Sequence, residues 1–304
     1  MDNPEKYRKA NAIQKRDVRF VLENYGADIF KFDKDSQPCR VLDLGCGPGD
    51  VTLELIAPFF PPKNASGGSA HRNPPLEPTG TRDHCCFDSR SEVVGIDADP
   101  AMIQTARTWG SRLNPDVRFI VCNAYQTARL LGEEIEHKFD YVISNYLLHW
   151  VQDITGIMKE VRQVHKKNGE LLAIFLASSP IFEVYKDIYQ AGKWSKYMKD
   201  FELAIGPYHR SPDPEAEVRR DFEQAGYEVL ICDCIHSVME IPSLGHLKHA
   251  MEVVNPFLQH MRAEERGEYL EDLLEAAVPY TSLRDDGTRT APYELMVVHT
   301  RNPQ

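Results

Sequence analysis

Three glycines alternate with other residues in the segment GCGPG at positions 45–49, and an aspartate stands on each side of it, Asp43 before and Asp50 after. Glycine-rich turns of this kind let the backbone approach a nucleotide closely. A dinucleotide-binding turn reads G-x-G-x-x-G and receives a pyrophosphate at the start of the next helix. Here the spacing is shorter, and both carboxylates would repel a phosphate. The segment therefore favours a ligand with a cationic ammonium group and no phosphate, and S-adenosylmethionine is such a ligand.

A further acidic residue, Asp97, ends the strand-like run VVGID at 93–97. An acid at the end of the second strand of a nucleotide-binding unit binds ribose hydroxyls. Asp97 follows Gly49 at more than twice the usual spacing of about 20 residues. The intervening stretch 59–92 is rich in Pro, Gly, Ser and charge, so it predicts a disordered surface insert. Without that insert the usual spacing is restored, because loops tolerate added length.

The elements that must position these residues alternate along the chain. Apolar runs predict five buried strands separated by helices, at 39–44, 93–97, 117–124, 139–146 and 170–178. Strands that are buried on both faces and alternate with helices are typical of a doubly wound parallel sheet. Residues 2–25 have apolar side chains at helical spacing and predict a helix, with Gln14 as the polar exception on its apolar face.

The pattern changes after Ser178. Helices are predicted at 180–190, 194–205, 213–225 and through most of 243–278, and strands at 227–235 and 293–300. We therefore expect a helical cap inserted among the final sheet strands. The chain is predicted to divide into a helical lid at 1–35, a nucleotide-binding core at 36–178 and the cap with the final strands at 179–304.

The composition narrows the range of partners. The chain has 304 residues and a net charge of −11 at pH 7, and an acidic protein of this kind is not expected to bind nucleic acid. No apolar run reaches the roughly 18 residues of a membrane span, and the charged N-terminal segment lacks a signal-peptide pattern. The seven cysteines show no zinc-binding spacing, so we expect no metal and a reducing, cytoplasmic location.

The segments VLDLGCGPG and VVGIDADPAMI resemble the first and second motifs of the class I S-adenosylmethionine-dependent methyltransferases. FDYVISNYLLHW and KKNGELLAIF are similar to the later strands of that family. The resemblance implies a Rossmann-like, mostly parallel seven-stranded sheet whose last two strands form an antiparallel hairpin at its edge. It also implies which residues surround the cofactor: Gly45 and Gly47 at the methionine part, Asp97 at the ribose, Asn123 and Ala124 at the adenine, and Ser144 with Asn145 closing the site beside the methionine.

Three other segments concern the methyl acceptor: YRKANAIQKRD at 7–17, LLHW at 147–150, and the run from IFLASSPIF into the predicted cap. Together they resemble the arthropod juvenile hormone acid and farnesoic acid O-methyltransferases, a family that esterifies terpenoid carboxylic acids. The resemblance implies that Gln14 and Trp150 orient the carboxylate of a small lipophilic acid.

Methylation of a carboxylate makes few demands on side chains. A carboxylic acid is ionised at pH 7 and is itself the nucleophile, so it needs no general base and no metal. The protein must hold one oxygen in line with the methyl group and exclude water. Neutral donors, such as the Gln14 amide and the Trp150 indole, orient a carboxylate without neutralising it.

Other residues near the predicted acceptor site have two interpretations each. Phe175, Tyr185 and Trp194 either line an apolar acceptor pocket or form ordinary core. Tyr7 is a candidate for contact with the sulfonium through its ring. His149 either packs in the core or acts as a general base, in which case the acceptor would be a hydroxyl or nitrogen group. The atypical insert leaves a third alternative, a non-catalytic protein that binds S-adenosylmethionine.

Overall fold

The computed structural model describes residues 11–30, 39–60, 91–134 and 138–303. Tyr7, the first part of the predicted N-terminal helix and residues 61–90 of the predicted insert lie outside the described residues. The predictions made for those parts of the chain stay predictions.

The described strands form one sheet of eight strands, in the order β3-β2-β1-β4-β5-β8-β6, with the short β7 paired to β8. They are β1 Arg40–Leu44, β2 Glu92–Asp97, β3 Arg118–Val121, β4 Phe139–Asn145, β5 His165–Ser178, β6 Glu228–Ile241, β7 Ser282–Leu283 and β8 Arg289–Arg301. Strands β1 to β5 are parallel, and β8 runs antiparallel between β5 and β6. The mostly parallel, doubly wound sheet is therefore confirmed, and its last two long strands, β6 and β8, form the expected antiparallel pair at one edge, with β6 outermost.

Helices connect these strands. They are α1 Ala12–Asn24, α2 Gly26–Ile29, α3 Ala57–Phe59, α4 Pro100–Leu113, α5 Thr127–Glu134, α6 Ile154–Val164, α7 Pro180–Gln190, α8 Pro214–Gln224, α9 Leu244–Val254 and α10 Ala263–Ala277. A π-helical segment, Thr52–Ile56, precedes α3. No helix within the described ranges is long and apolar enough to cross a membrane.

The two faces of the sheet pack against different helices. Alternate residues of a strand point to opposite faces, so Leu42 of β1 joins a core cluster with α6 and α8, whereas Val41 joins a second cluster with α1 and α4. This double burial is the reason that the strands read as continuous apolar runs in the sequence.

A third apolar cluster forms the cap from α7, α9 and α10. In chain order, α7 lies between β5 and β6, and α9 and α10 lie between β6 and β7. The prediction of a helix at 194–205 is wrong, because this stretch forms two 3₁₀ turns, Ser195–Tyr197 and Phe201–Ala204. The Trp194 indole donates to Asp272 of α10 at 2.7 Å. Contacts with a distant helix therefore stabilise a local structure that helical spacing does not predict.

Side chains from two helices cover the outer edge of β6. Arg219 of α8 donates to the Val229 carbonyl at 3.1 Å, and Arg16 of α1 donates to the Val238 carbonyl at 3.0 Å. The Glu215 carboxylate accepts from the Cys234 amide at 2.7 Å. Three backbone groups of the edge strand thus have side-chain partners.

Candidate active site

The glycine turn follows β1 with the backbone in the left-handed region. The φ angles of Gly45, Gly47 and Gly49 are 81°, 54° and 81°, a region that favours glycine. A Cβ atom on Gly45 would lie 2.8 Å from the Cβ of Leu147. The Gly45 amide donates to the Ile96 carbonyl at 2.8 Å. The turn is therefore packed tightly against the carboxyl ends of β2 and β4, and glycine is required there for space as well as for conformation.

Asp97 ends β2 beside this turn. Its carboxylate accepts from the Gly47 amide at 3.0 Å and from the Asp99 amide at 2.8 Å, and burial raises its pKa. Each carboxylate oxygen can accept more than one hydrogen bond, so Asp97 can hold the turn and still receive ribose hydroxyls. Its side chain is only partly buried, as that role requires.

The residues predicted beside the adenine follow the neighbouring strand. Asn123 is exposed, and its side-chain oxygen accepts from the Tyr125 amide at 3.0 Å, which caps a short 3₁₀ turn. Ala124 is half-buried. The Cys122 amide donates to the Asp97 carbonyl at 2.9 Å, so this loop lies next to the end of β2.

Asp43 lies under the turn with a side chain that is 2% exposed. The Thr52 hydroxyl donates to its carboxylate at 2.5 Å. Burial raises the pKa of Asp43 to about 7, and the nearby carboxylates of Asp97 and Asp50 add to the increase. A bound cation would favour the ionised form of Asp43, which fits the predicted ammonium group.

Asp50 requires a correction. Its carboxylate is buried, and the Lys15 ammonium lies 2.8 Å from it, while the Asn11 amide donates to it at 2.7 Å. The cation that Asp50 faces therefore belongs to the chain itself. Asp50 holds the start of α1 against the glycine turn, so of the two acids that flank this turn Asp43 is the one left available to a cationic ligand.

Two further acceptors line the same cleft as Asp43 and the glycine turn. The side-chain oxygens of Gln14 and Asn145 are buried and have no hydrogen-bond partner within the described residues. A buried acceptor without a partner costs about 1–3 kcal/mol, and an ammonium group has three N–H donors. The residues present thus fit the methionine end of S-adenosylmethionine. Ser144 is placed differently, because its hydroxyl donates to the Leu44 carbonyl at 3.3 Å.

A large apolar cavity adjoins this cleft. It encloses about 1070 Å³ of empty space, its open mouth included, and none of the described residues that line it is charged. Its walls come from α1, the 3₁₀ turn after β4, the end of β5, the start of α7, β6, α9, the end of α10 with the turn after it, and β8. The lining residues are Ile13, Gln14, Tyr146, His149, Trp150, Leu176, Ser179, Pro180, Ile181, Phe182, Val184, Met239, Leu247, Ala250, Met251, Val254, Ala277, Tyr280, Thr281, Ala291 and Tyr293. Gln14 lines both the cleft and the cavity, so the two spaces meet at that side chain.

His149 is buried in the wall of the cavity, and desolvation lowers its pKa to about 3. The imidazole is therefore neutral at pH 7. Its Nδ1 accepts a long hydrogen bond of 3.5 Å from the Leu176 amide. An imidazole that accepts at Nδ1 carries its proton on Nε2, so His149 presents a neutral N–H donor and is a poor base.

Trp150 lies beside His149 on the same 3₁₀ turn, with ring centroids 5.1 Å apart. Its side chain is half-buried and lines both the apolar cavity and a wider cleft towards Lys196. The structure thus brings Gln14, His149 and Trp150 together at one cavity, as the sequence predicts.

Three predicted acceptor residues do not line the cavity. Phe175 is fully buried on the opposite face of β5, because its neighbour Leu176 takes the cavity side. Tyr185 and Trp194 are buried in the cap cluster, where Tyr185 packs on Phe257 with centroids 5.3 Å apart. These three rings lie behind the walls, so of their two interpretations the structure agrees with ordinary core and not with contact to the acceptor.

Sequence reasoning missed the residues that α9 and β6 contribute to the cavity, among them Met239, Leu247 and Met251. These side chains lie far along the chain from the motifs around the glycine turn. The apolar positions of α9 are visible in the sequence, but nothing local shows that they face the same space as Gln14. The described residues include no group of three or more His, Cys, Asp or Glu side chains suited to a metal ion.

Comparison with known proteins agrees with this fold. Juvenile hormone acid O-methyltransferase of Drosophila melanogaster is 27% identical, over 99% of this chain and 92% of that protein. Trans-aconitate 2-methyltransferase of Methylobacterium radiotolerans is 23% identical, over 87% of each chain. The crystal structure of YcgJ from Bacillus subtilis has the same fold, with a TM-score of 0.54 and 15% identity over 95% of this chain and 99% of that one. A family model described as a methyltransferase domain matches residues 16–231, and the chain therefore belongs to the class I S-adenosylmethionine-dependent methyltransferases.

Proposed function

We propose that this protein methylates the carboxylate of a lipophilic acid, most closely a sesquiterpenoid acid such as juvenile hormone acid or farnesoic acid, to give the methyl ester. The observation that carries the proposal is the apolar cavity that meets the cofactor cleft at Gln14, with no charged side chain among its described lining residues. A carboxylate at this junction would find neutral donors, and its hydrocarbon chain would fill the cavity. The similarity to the Drosophila enzyme over nearly the whole chain supports the same acceptor class.

The chemistry of the cavity favours a carboxylate over a hydroxyl acceptor. S-adenosylmethionine supplies an electrophilic methyl group when it is bound. A carboxylate attacks without losing a proton, whereas a hydroxyl group needs a base. His149 has a pKa of about 3, and burial raises the pKa of Tyr293 to about 12. Neither group is suited to accept a proton at pH 7, which weighs against the alternative that uses His149 as a base.

The lack of cations among the described residues of the cavity wall has a kinetic advantage for this acceptor. A Lys or Arg beside the carboxylate would stabilise the ground state, where the negative charge is full, more than the transition state, where it is being neutralised. Gln14 and Trp150 orient the oxygen by neutral hydrogen bonding and avoid that cost. Apolar walls also exclude water from the reacting atoms.

The same wall should discriminate against trans-aconitate, the acceptor in the name of a bacterial relative. A tricarboxylate places two more negative charges in the site, and burying charges without partners is costly. The lining residues that the structure describes offer no charged partner. A molecule with one carboxylate and a long apolar chain matches the cavity better.

The test is an acceptor screen with methyl-labelled S-adenosylmethionine. The panel contains farnesoic acid, juvenile hormone acid, a long-chain fatty acid, trans-aconitate and farnesol, the uncharged counterpart of farnesoic acid. We expect labelled methyl ester from the terpenoid acids and none from farnesol or trans-aconitate. Turnover of farnesol or trans-aconitate in place of the lipophilic acids would contradict the proposal. Tight cofactor binding without any turnover would indicate a non-catalytic protein.

A further inference from the structure

We propose that Asp17 is a positioning residue for methyl transfer: its buried carboxylate fixes α1 so that Gln14 stays at the junction of the cofactor cleft and the acceptor cavity. The inference rests on the proposed function, in which Gln14 orients the acceptor carboxylate. Asp17 lines neither space itself, so it would act through Gln14.

The Asp17 side chain joins α1 to two strands of the sheet. It is 3% exposed. Its Oδ2 accepts from the hydroxyls of Tyr146 and Tyr293, each at 2.6 Å. Tyr146 directly follows β4, and Tyr293 lies on β8. One carboxylate therefore ties the helix to parts of the sheet that are far apart in sequence.

Gln14 depends on this anchor because no hydrogen bond to a described residue fixes its side-chain oxygen, which is buried. Residues at positions i and i+3 lie on the same face of a helix, so a shift of the helix at Asp17 moves Gln14 directly. At the start of α1, the hydrogen bond from Asn11 to Asp50 holds the helix at the glycine turn.

Asp17 also acts on the junction of cleft and cavity through Tyr146. Its φ angle of 54° is unusual for a residue with a side chain, and it follows Asn145, whose buried oxygen lines the cofactor cleft. The bond to Asp17 and the 2.7 Å bond from the Tyr146 amide to the Ile174 carbonyl hold this backbone in place. Loss of Asp17 would therefore disturb both sides of the junction.

The charge of Asp17 would oppose an acceptor carboxylate if it were unpaired. Arg16 removes this difficulty, because its guanidinium donates to Asp17 Oδ1 at 3.0 and 2.9 Å. Arg16 also donates to the Tyr293 hydroxyl and to the Ser237 hydroxyl of β6. The negative charge of Asp17 is thus neutralised by Arg16, which is itself held in position by these hydrogen bonds.

The experiment is a double-mutant cycle between Asp17 and Gln14 in the full-length chain. Asp17→Ala removes the anchor, whereas Asp17→Asn keeps one oxygen that can accept from the two tyrosines. We expect Asp17→Ala to lower kcat/KM for the acceptor about 100-fold, because displacements of about 1 Å cost that much. Asp17→Asn should recover most of that loss. In a Gln14→Ala background, both changes should cost less than about 3-fold, since residues that act through each other are not additive.

A second readout does not need turnover. Gln14 also lines the cofactor cleft, so the same cycle is measured on the dissociation constant of S-adenosylmethionine by calorimetry. Asp17→Ala should weaken binding several-fold when Gln14 is present and much less in the Gln14→Ala background. Arg19→Ala, an exposed change on the same helix, serves as the control and should leave both quantities unchanged.

Equal fold-losses from Asp17→Ala in the wild-type and Gln14→Ala backgrounds, in both kcat/KM and cofactor affinity, would overturn the inference and leave Asp17 a purely structural role. Failure of the proposed function is distinguishable from this outcome. If no lipophilic acid is esterified, the proposed function fails, and the cycle on cofactor affinity still decides the role of Asp17.

Discussion

The carboxyl group of Asp43 is buried under the glycine turn, and burial raises its pKa to about 7. An ordinary aspartate, with a pKa near 4, would be ionised throughout the neutral range. In the cofactor-free protein Asp43 therefore takes up a proton as the pH falls below 7. An ammonium group bound beside Asp43 would favour the ionised form, so we expect cofactor binding and proton release to be linked.

Cofactor affinity is accordingly expected to fall about 20-fold between pH 7.5 and pH 5.5. The direction follows from the raised pKa, because below pH 7 a growing fraction of Asp43 must lose a proton before the cation binds. Calorimetric titration with S-adenosylmethionine over this range measures the effect. Asp43→Asn is the matched control and should bind more weakly and lose most of this pH dependence, any remainder coming from Asp97, whose pKa burial also raises. The same pH dependence in the Asn variant would refute the role assigned to Asp43.

The role of an individual residue could be predicted from the sequence where it depends on neighbouring residues in the chain. Gly45 and Gly47 are required by the turn itself, and Asp43 and Gln14 stand out as polar residues in apolar surroundings. Asp50 looks equally suited to a ligand in the sequence, yet Lys15 neutralises it. Partners that are far apart in sequence decide such cases, and no local pattern shows them.

At the scale of elements, the five parallel strands were predictable because each is buried on both faces and reads as an apolar run. The prediction failed where a distant element decides the structure, as at 194–205, where α10 binds Trp194. The two interpretations of Phe175 also stayed open, since a long apolar strand does not reveal which alternate residues face a cavity. The placement of α9 across the acceptor cavity belongs to the same class, because it depends on tertiary packing alone.

Helix α9 is expected to set the length of the acceptor. Ala250 lines the cavity and is half-buried, so Ala250→Phe fills space that the far part of a long chain would occupy. We expect kcat/KM for a fifteen-carbon acid to fall at least about 10-fold relative to an eight-carbon acid, a range typical of hydrophobic pockets. Competition between the two acids, followed by mass spectrometry of the esters, measures the ratio.

His249→Ala is the control on the same helix, because the His249 side chain is partly exposed and pairs with Glu252 outside the cavity. It should leave the ratio unchanged. An unaltered preference in the Ala250→Phe variant would show that the acceptor chain does not reach α9.

At the scale of the whole molecule, the net charge of −11 contrasts with the uncharged cavity. None of the described residues that line the cavity is charged, so the part of the wall that the structure describes has no ion that would hold a carboxylate too tightly. The edge strand β6 presents a different problem, since an open strand edge can pair with another chain. Arg219, Glu215 and Arg16 occupy backbone groups along that edge.

Removing two of these side chains, in the variant Glu215→Ala/Arg219→Ala, is expected to speed aggregation on heating because it exposes the backbone of β6. Light scattering at a fixed temperature below the unfolding midpoint measures the rate, and we expect it to rise several-fold. Glu223→Ala, an exposed change on the same helix, is the control. Equal aggregation rates in the double variant and the control would mean that these two side chains do not protect the edge of β6 from pairing with another chain.

Arg16 belongs to two of these systems at once. Its guanidinium balances the charge of Asp17 near the acceptor cavity, and one of its N–H groups covers the Val238 carbonyl on the edge of β6. Replacing Arg16 is therefore expected to affect turnover and solubility together. A substitution at Arg16 that improved turnover would also change solubility, and the reverse. We therefore expect few substitutions to be tolerated at this position, although the Arg16 side chain is 44% exposed.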